Sequence, residues 1–140
     1  MLPSDRNLSL WAGFVLETAG GPVYFGGDSG YGSHYRETRE RYGAMRAAML
    51  PIGAYLPRWF MAYQHMGPVD ALQAHQDLAA QFSLGIHWGA FKLSPERRFQ
   101  AAEELRGEAK QRGLTESDVV APAVGAHYDV QPLPGATGCR

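Results

Sequence analysis

Cysteine is almost missing from this chain. The one thiol among its 140 residues, Cys139, stands next to the C-terminus. A lone cysteine closes no internal disulfide, so a disulfide scaffold is excluded and nothing favours an oxidising compartment. An excess of charge is missing too. Thirteen Lys and Arg against fourteen Asp and Glu leave a formal net charge of −1. No long-range field then draws nucleic acid or an anionic membrane, and no nucleic-acid partner is expected. Long apolar runs are absent, none approaching the ~20 residues of a membrane span. The first residues, Met1-Leu2-Pro3-Ser4-Asp5-Arg6, lack the apolar core of a secretory leader. A cytoplasmic location is therefore expected, with peripheral contact through exposed aromatics as the remaining route to a membrane. HExxH, CxxC, GxSxG and the P-loop lysine do not occur either.

What is present describes an ordinary globular domain. The chain is 45% hydrophobic and 19% charged, outside the range of disordered sequences, and its length suits one domain. Leu8, Leu10, Ala12, Phe14 and Leu16 alternate with other residues, which predicts a strand, and Ala19-Gly20-Gly21 predicts the turn after it. Val23 to Gly27 reads as the returning strand. A helix is expected over 34–42, with Ser33 as its N-cap and Gly43 at its end. Ala47 to Ile52 is the third strand candidate. Gly53 to Met66 is an irregular aromatic stretch. Pro68 suits a first helical position, and Val69, Leu72, Ala79 and Phe82 trace one helical face. Ser83 to His87 is the fourth strand. Ser94-Pro95 predicts the start of a longer helix reaching Gly113, with Phe99, Ala102, Leu105 and Ala109 inward. Asp118 to Val124 predicts a last strand, and the Pro- and Gly-rich tail from Gln131 is expected to fray. Helices alternating with apolar strands imply an α/β layered fold.

Two segments carry candidate chemistry. Pro22-Val23-Tyr24-Phe25-Gly26-Gly27-Asp28-Ser29-Gly30-Tyr31 ends an apolar run in one carboxylate among glycines. Ser83-Leu84-Gly85-Ile86-His87-Trp88-Gly89-Ala90-Phe91 ends another in one imidazole. Strand ends of this kind are where α/β proteins place their chemistry. Glycines let the backbone turn sharply and approach an ion closely. Asp28 alone would equally suit a loop-capping turn, and His87 alone a packed core histidine. His65, with Gln64 beside it, is a third candidate: a general acid, a substrate hydrogen-bond donor or a packed residue. His34, His75 and His127 read as structural or exposed, with His75 on a helix surface.

Phe-Gly-Gly-Asp-Ser-Gly-Tyr, Pro-Ile-Gly-Ala-Tyr-Leu-Pro-Arg-Trp-Phe-Met-Ala-Tyr-Gln-His-Met and Ile-His-Trp-Gly-Ala-Phe together closely resemble metallo-β-lactamase-fold hydrolases. The nearest type is the N-acylphosphatidylethanolamine-hydrolysing phospholipase D. The resemblance runs from about Asp5 to Gly113. It implies a four-layer αβ/βα sandwich with two zinc ions at one edge. It places Asp28 on the family's bridging aspartate, His87 on the last histidine ligand, and Gln64 and His65 on a Gln-His pair lining the catalytic pocket. Arg58, Trp59 and Phe60 would form part of its wall. The implied reaction is attack of a metal-bound hydroxide on a phosphodiester, with a phospholipid-like substrate.

The family's His-x-His-x-Asp-His cluster is absent from this sequence. The resemblance therefore implies the C-terminal half of the sandwich over residues 1–127, followed by a tail over 128–140, from a truncation, a mis-called start or a deliberate fragment. Asp28 and His87 would be two of seven ligands, so zinc binding is expected to be weak or absent and the chain inactive alone. One face of the sheet, with Leu8, Leu10, Phe14, Val23 and Phe25, would lack its partner. A homodimer or a complementing N-terminal half is expected to cover it. Two other functions compete: a non-catalytic remnant or interaction module, and a same-fold hydrolase acting on a lactone, sugar phosphate or nucleotide.

Overall fold

A computed structural model describes residues 12–136. Five strands form one sheet in the order β1-β2-β3-β4-β5. They are Phe14–Leu16, Val23–Phe25, Ala47–Pro51, Ser83–Ile86 and Val119–Val120. β1 and β2 are an antiparallel hairpin, and every later pair is parallel. The hairpin turns where Gly21 takes φ +113°, and its N–H donates to Thr18 O at 3.0 Å. α1 (His34–Tyr42) joins β2 to β3. α2 (Arg58–Met61) and α3 (Pro68–Asp77) join β3 to β4, and α4 (Gln100–Gln111) joins β4 to β5.

This connectivity decides which face of the sheet is covered. The parallel strands advance in one direction, and β-helix-β crossovers are right-handed almost without exception. The connecting helices consequently fall on one side. Tyr24, Ala48, Leu50 and Val119 point to that side and join one core with Tyr35, Leu72 and Leu105 from the helices. Tyr24 and Tyr35 meet edge to face at 5.7 Å. On the opposite face the register aligns Phe14, Phe25, Met49, Leu84 and Val120 in a row across all five strands. Phe14 and Phe25 are 63% and 40% exposed. Leu8 and Leu10, expected on the same face, lie outside the described residues, as does Cys139.

The structure corrects several expected boundaries. α4 begins at Gln100, not Ser94, because the segment before it is tied elsewhere: Glu96 Oε1 accepts the N–H of Ala54 at 2.6 Å. Phe99 is accordingly exposed rather than inward, with its ring 6.3 Å from that of Trp88. α3 stops at Asp77, which leaves Ala79 and Phe82 beyond it, and Val69 is exposed. The aromatic stretch contains the short α2. β5 is only Val119–Val120. Ser33 stands at the N-cap without a side-chain capping bond. The tail, as far as 136, is held rather than frayed: Arg46 Nε donates to Val130 O at 3.1 Å, and Leu133 N–H to Gly20 O at 2.8 Å.

His75 is also corrected, from helix surface to core. It is buried, and its Nδ1 lies 2.9 Å from the Ser83 hydroxyl. Burial pushes its pKa below the usual 6.5, with Asp118 opposing weakly. The unfolded chain then binds the proton more readily than the folded one. Stability is full above about 6.5 and falls as pH drops through the depressed folded value. Urea midpoints at pH 7.5 and 5 should show that decline, and His75→Asn should flatten it relative to wild type.

Candidate metal centre

Asp28, His65 and His87 all lie beyond the C-terminal ends of parallel strands, following β2, β3 and β4 respectively. That edge is where the loops of an α/β sheet converge. Gly26 N–H still bonds in register to Met49 O at 2.9 Å, and Gly27 then takes φ +62°. The chain turns there and delivers Asp28 to the edge. β4 ends at Ile86, one residue before expected, and His87 takes φ +58°. A left-handed residue other than glycine is uncommon and clusters at functional sites.

His65 is fixed from three directions. Its N–H donates to Met61 O at 2.8 Å, at the end of α2. Its carbonyl accepts from Arg58 Nη1 at 3.2 Å, while Arg58 Nη2 pairs with Asp70 at 2.6 Å. Asp70 in turn accepts the N–H of Gly67 at 3.0 Å, closing the entry to α3. The neighbouring Met66 N–H reaches Ser29 O at 3.1 Å, which stitches this loop to the one carrying Asp28. Gly30 permits the approach, since a Cβ there would stand 2.5 Å from Tyr63 O. On the other side, a Cβ at Gly53 would stand 2.2 Å from His87 O.

The three side chains meet. Their ligand atoms all lie within 4.8 Å of one another. His65 Nδ1 is 2.7 Å from Asp28 Oδ1, and His87 Nε2 is 3.4 Å from Asp28 Oδ2. The imidazole rings stack at 5.7 Å. The two distances differ in meaning. Donors sharing one tetrahedral zinc, with bonds near 2.1 Å, stand roughly 3.4 Å apart. A hydrogen bond to a carboxylate is closer to 2.8 Å. The Asp28–His87 spacing thus suits two ligands of one ion, and the Asp28–His65 spacing suits a hydrogen bond. A borderline divalent cation such as zinc fits this carboxylate and imidazole set. His87 Nδ1 is buried with no hydrogen-bond partner among the described residues.

Gln64 sits beside His65 with its side chain exposed. Trp59 and Phe60 are exposed and pack edge to face on each other at 5.7 Å. The sequence reading missed how Arg58 fastens His65, how Glu96 fastens the loop at Ala54, and how closely Gly53 meets His87. Arg58 had one visible signal, a lone cation in an otherwise apolar stretch. Glu96 and Gly53 had none, because their partners are distant in the chain.

The chain matches the Beta-lactamase superfamily domain over residues 2–88. It is 32% identical over 124 residues to N-acyl-phosphatidylethanolamine-hydrolyzing phospholipase D 1 of Caenorhabditis elegans, a match covering 83% of this chain and 35% of that protein. It is 38% identical over 113 residues to the mitochondrial N-acyl-phosphatidylethanolamine-hydrolyzing phospholipase D of Saccharomyces cerevisiae, covering 79% of this chain and 24% of that one. The chain therefore spans only about a quarter to a third of these relatives. Among solved structures, the metallo hydrolase Igni18 of Ignicoccus hospitalis superposes with a TM-score of 0.64 at 22% identity, over 86% of this chain and 46% of that one. An isothiocyanate hydrolase from Delia radicum gut bacteria gives 0.59 at 19%, over 81% and 41%. At these identities the structural likeness concerns the fold.

Proposed function

The chain belongs to the β-lactamase superfamily and has a metallo-β-lactamase fold, and from that premise we propose that it is the C-terminal portion of a zinc-dependent phosphodiesterase. The substrate class follows the two relatives named for phospholipase D activity on an N-acylated phospholipid. The observation that carries the reading is the 3.4 Å between Asp28 Oδ2 and His87 Nε2, a spacing suited to two ligands of one ion. A zinc ion held there would lower the pKa of a bound water toward neutrality and stabilise negative charge on phosphoryl oxygens.

The chain's own residues do the rest. Asp28 and His87 would hold the ion. His65, hydrogen-bonded to Asp28 at 2.7 Å, fixes the carboxylate's orientation and serves as proton carrier for the departing oxygen. Gln64, exposed beside it, hydrogen-bonds the substrate. Two protein ligands are fewer than the three of an ordinary catalytic zinc site, so the ion would be held weakly and hydrolysis would require donors from a complementing half. The sheet face opposite the helices is the surface on which that half, or a second copy, would sit.

Isothermal titration with zinc tests this. The expected result is weak, saturable binding of one ion, at least about tenfold weaker in Asp28→Asn and His87→Ala. His65→Ala should also weaken zinc binding, by about tenfold, since the lost hydrogen bond leaves the Asp28 carboxylate unoriented. Bis(4-nitrophenyl) phosphate should be hydrolysed by the chain alone no faster than in zinc solution. The two-ligand count also favours a non-catalytic module. That reading predicts zinc binding, if any, that ignores Asp28.

A further inference from the structure

Two residues other than glycine hold left-handed backbone at the sheet edge, and the loops that carry them touch. β3 and β4 stay bonded up to Ile52, whose N–H donates to Ile86 O at 3.0 Å. Just beyond, Ala54 takes φ +61° and His87 φ +58°. Gly53 makes the contact, since a Cβ on it would stand 2.2 Å from His87 O. A left-handed alanine is unfavourable on its own, because its Cβ crowds the following carbonyl oxygen. Such residues persist where the surroundings over-determine them.

What over-determines Ala54 is Glu96. Ala54 is buried, at 5% exposure, so its N–H needs an acceptor from the protein. Among the described residues that acceptor is Glu96 Oε1, at 2.6 Å. Glu96 Oε2 accepts the Ser94 hydroxyl, so both carboxylate oxygens are engaged and the side chain is fixed. A hydrogen bond to a carboxylate is stronger than one between neutral groups. Glu96 belongs to the loop that His87 opens, and Phe91, Leu93 and Phe99 on that loop are all exposed. The contacts close a ring. It runs from His87 along the loop to Glu96, across to Ala54, and through Gly53 back to His87 O.

From this ring we infer that Glu96 is a positioning residue for the metal centre. Its carboxylate holds Ala54 left-handed, which keeps Gly53 against His87 O. The His87 backbone is thereby held where its imidazole stands 3.4 Å from Asp28. Glu96 is not among the clustered ligand candidates, so it acts only through His87. The inference rests on the metal reading for what His87 does. Without the carboxylate, Ala54 relaxes out of the left-handed region, Gly53 moves with it, and His87 loses the surface that fixes its peptide.

Calorimetric zinc titration of Glu96→Ala in the full chain is the test. Affinity should fall at least about tenfold, the usual cost of losing a residue that orients a ligand. Two further variants separate positioning from a general loss of structure. Glu96→Gln keeps an oxygen for Ala54 and an amide for the Ser94 hydroxyl, so its affinity should stay within about threefold of wild type. Adding Ala54→Gly to Glu96→Ala should recover at least about threefold, because glycine takes positive φ at no steric cost. If Glu96→Ala does not fold, Glu96→Asp carries the test. Its shorter side chain falls back from Ala54, and the same glycine should restore the loss. Proton spectra in EDTA read the ring without metal: the His87 imidazole signals should move in Glu96→Ala and return in the double variant. Wild-type zinc affinity in Glu96→Ala, or no recovery with Ala54→Gly, overturns the inference. A wild-type chain that binds no zinc sinks the metal reading, and the His87 signals then decide whether Glu96 positions that residue. Zinc binding by wild type with unmoved His87 signals in Glu96→Ala sinks this inference alone.

Discussion

Gly53→Ala is expected to damage the candidate metal centre although Gly53 touches no ion and carries no side chain. The added methyl carbon would stand 2.2 Å from His87 O and 3.1 Å from Trp88 Cα. Both neighbours are backbone, so no rotamer change relieves the clash. Ordinary contact begins near 3.4 Å, so the His87 peptide must retreat by roughly 1 Å, overpacking that costs about 1–3 kcal/mol. A retreat of that size opens the 3.4 Å spacing between His87 and Asp28 beyond what one tetrahedral ion spans. Zinc affinity should fall at least about tenfold, and activity in a complemented protein by about a hundredfold, the usual effect of misplacement on this scale. Gly107→Ala is the control. Gly107 lies inside α4 with nothing within 4 Å of its added Cβ. It should raise stability by about 0.5–1 kcal/mol and leave zinc titration unchanged. Equal zinc affinity in Gly53→Ala and wild type would show that the close packing of these loops does not set the site.

The parts of this molecule that were legible in its sequence are those written in short-range pattern. The run before Asp28, the run before His87 and the Gly20-Gly21 turn each announce themselves within ten residues, and each is found. The alternation that puts Phe14 and Leu16 on one face, and Val15 on the other, is equally local. What could not be read depends on partners far along the chain. Ser94-Pro95 is a sound helix start by local chemistry. It loses because Glu96 satisfies the N–H of Ala54, 42 residues away. His75 looks like a polar residue on a helix until Ser83 comes under it.

The site divides along the same line. Asp28 and His87 were visible as strand-end residues. The hydrogen bond between His65 and Asp28 was not, since 37 residues separate them. That bond depends on the tie from Arg58, the approach allowed at Gly30 and the Met66–Ser29 stitch. Local pattern thus marks the candidate groups. Their relative distances are set by loop-to-loop contacts.

The other large effect is expected on the side of the sheet opposite the helices. Wild-type chain should self-associate at micromolar concentration, because the row from Phe14 through Phe25 and Met49 to Val120 is a continuous apolar surface. Sheet faces of this composition pack about 10 Å from a second sheet in sandwich folds. Phe25 lies between Phe14 and Met49 in that row and is 40% exposed. Phe25→Lys would place an ammonium group where association removes water. An unpaired charge buried in an interface costs about 2–5 kcal/mol, which weakens association by about thirtyfold or more. The folded monomer should lose little, since the replaced ring faces solvent there. Sedimentation velocity across a concentration series reads the first effect, and urea unfolding at low concentration reads the second. A wild-type chain that stays monomeric at 100-fold higher concentration would remove the case for a partner on this face. A variant that unfolds with unchanged self-association would instead move Phe25 from the interface into the monomer's own core.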